Sequence, residues 1–289
     1  MVAKFSIKDL EKLSGIKAHT LRAWELRYGI LKPERTDTNI RWYCNNELKQ
    51  LLNITLLYNN GYKISRIACL QSNDLVEEVN KIIDSKGKAC HRIEGLIISM
   101  VELDEQRFEK IISNCILHNG FADTIENVVY PFLHRIGILW QTGSINPAQE
   151  HFISNLIRQK LIVAIDGVPV PATANSKRFV LFLPDGELHE LSLLYFNYVL
   201  KSKGHQVIYL GQSVPFGDLE KVFEIRNPHY IVSVFTHVAA AEAYIKQLAE
   251  TFSTTGILLS GSQCLEPGCK FPKNISVFKT PADLLALIA

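Results

Sequence analysis

The chain has 289 residues, 47% of them hydrophobic, and a formal net charge of +2; that is enough for two or three domains with real cores and excludes a disordered polyelectrolyte. The charge is uneven, with a net of +5 over residues 1–75 and −3 over residues 76–289, so one end is suited to meet a polyanion. Six scattered cysteines without framework spacing read as ordinary thiols in a reducing cytosol. No signal peptide opens the chain and no apolar run reaches the roughly 18–20 residues of a membrane span, so a cytoplasmic location is expected.

The first elements are short helices. Ser6 can cap a helix with Ile7, Leu10 and Leu13 on one face, stopped by Gly15. A second helix follows from about Lys17 to Tyr28, and a glycine in a tight turn between two short helices is a helix-turn-helix pattern. Leu21 and Trp24 are placed to pack inward. His19, Thr20, Arg22 and Arg27 can project toward a major groove, where basic side chains neutralise phosphates or grip guanine edges. Lys32, Arg35 and Arg41 line a loop with the turn residues "TDTN", followed by Trp42-Tyr43, as in a β-wing. The residues alone also fit a small amphipathic bundle with solvated charges.

The run "FSIKDLEKLSGIKAHTLRAWELRYGILKPERTDTNIRWY" resembles the winged-helix DNA-binding domain of the MerR family over about residues 4–75. The resemblance implies that Arg22, Trp24, Arg27 and Tyr28 sit at the DNA, with Arg41 and Tyr43 from the wing. An all-α head with a small wing, over 1–75, is therefore expected.

Over residues 76–170, apolar residues recur at three- and four-residue spacing in four helical stretches, which predicts a four-helix bundle. Asn146-Pro147 starts the last helix. Within "LWQTGSINPAQEH", Trp140 ends one helix and Glu150-His151 opens the next. By themselves such residues are as readily packing and surface.

After "PVPATANSK" the pattern changes. Apolar strands "RFVLFLP", "HQVIYLG", "HYIVSVFT", "TGILLSG" and "NISVFKT" alternate with helical stretches, which predicts a doubly wound parallel α/β domain over 178–289. Ligands in that architecture bind outside the carboxyl ends of the strands. "PDGELHELS" lies at such an end, and so do "GQSVPFG" and "SGSQC".

Glu187, His189 and Ser192 form E-x-H-x-x-S, which resembles the D-x-H-x-x-G loop of cobalamin-binding domains. The resemblance implies that His189 ligates cobalt from below and that Glu187 bonds the other ring nitrogen. Ser233, and Gly261 with Ser262, take the places beside the nucleotide tail. Head, bundle and cobalamin domain in this order, with Trp, nine residues and Glu-His in the bundle, are similar to the light-sensing CarH/LitR regulators. Trp140, Glu150 and His151 would then cover the upper face and any adenosyl group of adenosylcobalamin or methylcobalamin. The sequence departs from that pattern at Glu187 for Asp, at Ser192 and Ser262 for Gly, and at Gln141, where a light-dependent histidine ligand is expected.

The sequence thus implies a non-enzymatic transcriptional regulator. A corrinoid sensor would control its self-association, as dimer or tetramer, and its operator binding. A cofactor-free regulator, with a degenerate sheet domain used for oligomerisation or partner binding, is the alternative.

Overall fold

The computed structural model describes residues 4–35, 39–84, 89–141, 145–169, 176–265 and 271–289. They form two compact units, Met1–Leu156 and Ile157–Ala289.

The first unit opens with helix α1 (Ile7–Ser14), fixed by a capping box in which Ser6 and Asp9 satisfy each other's backbone N–H groups. Gly15, at φ 74°, ends it. Helix α2 (Ala18–Tyr28) follows, then strands β1 (Glu34–Arg35) and β2 (Arg41–Trp42), paired antiparallel as a small wing. Phe5 bridges Tyr43 and ties the start of the chain to the wing's end.

Helix α3 (Asn45–Asn59) buries Leu48, Leu51, Leu52, Ile54, Leu56 and Leu57, an apolar surface wider than one face. It packs on α1, on α5 (Ser72–Asp84) and on α6 (Ala89–Glu102), with the short α4 (Ile64–Ile67) between. Helix α3 thus packs on the winged helix and the middle helices alike. Between residues 89 and 119 the chain forms two helices, α6 and α7 (Glu105–Asn119). Leu103 turns left-handed at φ 55° and Asp104 caps α7 by accepting the Arg107 N–H at 2.9 Å.

The next rod consists of α8 (Phe121–Thr124), a π-helical turn (Ile125–Val129) and α9 (Tyr130–Gln141). From α9, the Arg135 guanidinium donates to the Leu13 carbonyl at 2.7 Å, at the carboxyl end of α1. Helix α10 (Pro147–Asp166) begins where Asn146-Pro147 predicted, with Asn146 and Gln149 capping each other. The division between the units falls within it.

The second unit is the predicted α/β fold. It runs β3 (Arg178–Pro184), α11 (Leu191–Ser202), β4 (Gln206–Val214), α12 (Phe216–Arg226), β5 (Tyr230–Val234), α13 (Ala241–Thr251), β6 (Gly256–Ser260), β7 (Ile275–Val277) and α14 (Pro281–Leu287). All pairings are parallel, in the order β4-β3-β5-β6-β7. Phe179 to Leu183 are fully buried, because α12 and α13 cover one face of the sheet and α11 and α14 the other. From β3 the chain crosses first to β4 on one side, and later strands build out through β5 on the other. The carboxyl ends of β3 and β5 therefore flank the topological switch point, where this architecture opens a crevice.

Candidate functional site

Pro184 ends β3, and Asp185-Gly186 turns the chain, with Gly186 at φ 79°. The turn delivers Glu187 inward, its side chain fully buried, and His189 outward, 57% exposed. One Glu187 oxygen accepts the Leu188 and His189 backbone N–H groups at 3.0 and 3.1 Å and lies 2.5 Å from His189 Nδ1. The other accepts the N–H groups of Thr236 and His237, just beyond β5, at 2.8 and 2.7 Å. Burial alone would raise the Glu187 pKa. The His237 N–H, the His189 ring and backbone, and the Thr236 N–H overcome that and hold it at about 2. An ionised carboxylate makes His189 Nδ1 the donor and fixes the ring so that Nε2 is the nitrogen turned away from Glu187.

The loop is fastened from other sides. Gln212 Nε2 donates to the Leu188 carbonyl at 2.6 Å, and Ser213 contacts Asp185, Gly186 and Glu187. Two register shifts carry the end of β4 over the loop, with Gly211 at φ 82° and Ser213 at φ 50°. Glu190, buried at the start of α11, pairs with Arg158 of α10 and accepts from the Tyr209 hydroxyl at 3.1 Å. Burial and Glu190 push the Tyr209 hydroxyl well up from its ordinary pKa. The His237 ring stands edge-on to His189 with centroids 5.3 Å apart.

The remaining sheet-domain residues fare differently. Ser192 is half-buried in the first turn of α11. Ser233 is fully buried, and its hydroxyl donates to the Phe182 carbonyl at 2.8 Å. It holds β5 to β3 at the switch point. Gly261, at φ 102°, is needed by the backbone, since a Cβ there would sit 2.3 Å from the Phe235 carbonyl oxygen. Ser262 is exposed, its hydroxyl 3.5 Å from the Thr236 carbonyl. Sequence reasoning missed Gln263, whose side chain brackets both backbone polar groups of Val238 and locks the β5 and β6 loops together. It also missed Gln212, Ser213, Arg158 and Glu190, whose partners are distant in sequence.

In the first unit, Glu150 and His151 form a pair of their own, 3.0 Å apart at the start of α10. Trp140 and Gln141 end α9, and their side chains lie outside the described residues.

On the winged helix, His19, Arg22 and Arg27 of α2 are exposed, and Thr20 and Tyr28 are half-buried. In the wing, exposed Arg35 donates to Asn39 at 2.6 Å, and Arg41 pairs with Glu25 at 3.2 Å. Trp24 and Tyr43 are core residues, which corrects the expectation that they meet DNA. Trp24 packs edge-on to Tyr58 with ring centroids 4.9 Å apart. Tyr43 is 1% exposed, its hydroxyl donates to Glu25, and burial and that carboxylate push its pKa up to about 12.

Comparison with known proteins finds matches over the winged helix and the middle helices. Residues 5–73 match the model for the MerR HTH family regulatory protein, and residues 92–164 match the model for a B12 binding domain. The chain is 26% identical over 234 residues to the HTH-type transcriptional repressor CarH of Myxococcus xanthus, covering 78% of this chain and 77% of that one. It is 28% identical over 250 residues to the repressor CarA of the same organism, covering 84% and 81%. The chain is thus similar to the CarH and CarA repressors over most of its length. It carries a MerR-type DNA-binding domain and a B12-binding domain in that order. The structure of the Methanosarcina barkeri monomethylamine corrinoid protein shares the fold, with a TM-score of 0.51 at 12% identity over 65% of this chain and 92% of that one. Among the described residues no helix is long and apolar enough to cross a membrane.

Proposed function

We propose that this protein is a DNA-binding transcriptional regulator whose sheet domain senses a corrinoid, with His189 as lower axial ligand to cobalt. The observation that carries the reading is the Glu187–His189 pair at the switch point. A buried carboxylate fixes the imidazole tautomer and leaves Nε2 as the nitrogen turned away from it. A corrinoid brings its own equatorial nitrogens, so one axial imidazole is what the protein must add. Ser192, Gly261 and Ser262 border the same crevice and would line the path of the nucleotide tail.

When bound, an alkylcorrinoid supplies a cobalt–carbon bond that light can cleave, chemistry that belongs to the cofactor. The chain's own part would be to hold the His189 imidazole oriented and to present Arg22, Arg27 and Arg35 to DNA. Gln141 offers no imidazole, so the response to light should differ from that of regulators with histidine there. Assembly into a dimer or tetramer on two operator half-sites would couple the sensor to DNA binding.

The competing reading is a cofactor-free regulator whose sheet domain serves only assembly. It is favoured by Ser192 and Ser262, which place hydroxyls where the corrinoid loops carry glycine. Titration of the purified protein in the dark with adenosylcobalamin and methylcobalamin decides between them. Uptake, with a cobalt spectrum that changes in His189→Ala, supports the sensor. No uptake of either at micromolar concentration leaves the cofactor-free regulator.

A further inference from the structure

The geometry points to Leu26 as the residue through which helix α2 reads base sequence, by contact with thymine methyl groups in the major groove. This rests on the DNA-binding reading of the MerR-type domain. Leu26 is 88% exposed, more than any other large hydrophobic residue among those described. Single exposed leucines are ordinary on protein surfaces, so what matters is where this one lies.

Leu21 and Trp24 bury the inner face of α2. At 3.6 residues per turn, His19, Ala23 and Leu26 then share one outward stripe, and Arg22 and Arg27 fall on its two flanks. His19, Arg22, Ala23, Leu26 and Arg27 are all exposed. The face therefore has Ala23 and Leu26 at its centre, with His19 toward the start of the helix, between two guanidinium groups. Glu25 is the one carboxylate on the helix, and both its oxygens are engaged, one by Arg41 and the other by Tyr43. It does not offset the cations that border the stripe.

That charge pattern selects the occupant. A second copy docked through this face would bring Arg22 and Arg27 against the same residues of its mate. A duplex places phosphates on both walls of its major groove and bases on the floor, which matches guanidinium groups outside and an aliphatic group at the centre. The base-edge group that an aliphatic side chain recognises there is the C5-methyl of thymine. Arg22 and Arg27 would then supply affinity and Leu26 sequence preference.

The test uses the full chain. A binding duplex is selected from a random-sequence pool, and each thymine in it is replaced in turn by deoxyuridine, which lacks only the methyl group. The parent should lose about fivefold in affinity at one or two thymines per half-site, the scale of one methyl contact. Leu26→Ala should bind the thymine and uracil duplexes alike at those positions, and Leu26→Met should retain the difference. Arg22→Ala should instead weaken binding to every duplex and lower the salt slope by about 1. If the parent selects a duplex but tolerates uracil throughout, or Leu26→Ala keeps the parent's discrimination, the assignment of Leu26 is overturned while DNA binding stands. If no duplex is enriched, DNA binding and the Leu26 assignment fall together.

Discussion

Glu187→Gln changes little in volume but much in hydrogen bonding. The carboxylate accepts from four backbone N–H groups and one imidazole, on both oxygens. A carboxamide has one acceptor oxygen and an NH2 group, which must face donors either at Leu188–His189 or at Thr236–His237. The pKa, held at about 2 against the ordinary 4.5, measures what the ionised form gains from this arrangement. At about 1.4 kcal/mol per pH unit the shift corresponds to about 3 kcal/mol. Because the folded pKa lies below the unfolded one, that stability is present above about pH 4.5 and is lost as pH falls toward 2. Hydrogen exchange of full-length protein, followed on peptides covering β3 and β5, isolates the second unit. At pH 7 the variant should lose about 3 kcal/mol of protection there, roughly 10 °C in Tm for a unit of this size. Between pH 5 and pH 3 the parent should fall toward the variant and the gap should narrow. A loss under about 1 kcal/mol with a constant gap would refute the account of Glu187 as the pin between the two loops.

Three further outcomes are expected. Gly261→Ala should cost at least about 2 kcal/mol in thermal unfolding, because its Cβ meets the Phe235 carbonyl and φ is 102°; an unchanged melting profile would contradict that close approach of the two backbones. Arg158→Ala leaves the Glu190 carboxylate buried beside Tyr209 and should destabilise α11 by about 1–3 kcal/mol in hydrogen exchange, with partial recovery when Glu190→Gln is added. Arg135→Ala removes the donor to the Leu13 carbonyl and should cost about 1–3 kcal/mol. Tryptophan fluorescence during urea unfolding should report the loss, since Trp24, Trp42 and Trp140 all lie in the first unit.

Local signals carried most of the information legible in the sequence. Ser6 and Gly15 bounded α1 because capping and left-handed turns are written in single residues. The run over 178–183 announced a buried parallel strand, and His189 stood out because a polar ring follows it directly. Leu103 gave no such signal, since a leucine at positive φ looks like any other helical leucine. Trp24 and Tyr43 were read toward DNA through resemblance, whereas the phase of Leu21 with Trp24 places the indole inside. The second half of the Glu187 environment was hidden for a different reason. Its donors are backbone N–H groups of Thr236 and His237, some fifty positions away, and an N–H group carries no residue identity. The same holds for Ser233, whose partner is a carbonyl on β3.

The π-helical turn at Ile125–Val129 sets the azimuth of helix α9. A turn that takes one residue more than an α-helical turn shifts by one place, about 100°, which residues of the following helix face a given side. Beyond that turn Phe132 and Ile136 are buried, and Arg135 reaches the Leu13 carbonyl of α1. The five residues thus act as a spacer whose count matters more than its composition. Removing one would let the rod close as uninterrupted α-helix, whereas exchanging one apolar residue for another of similar size would leave the π-helical turn in place.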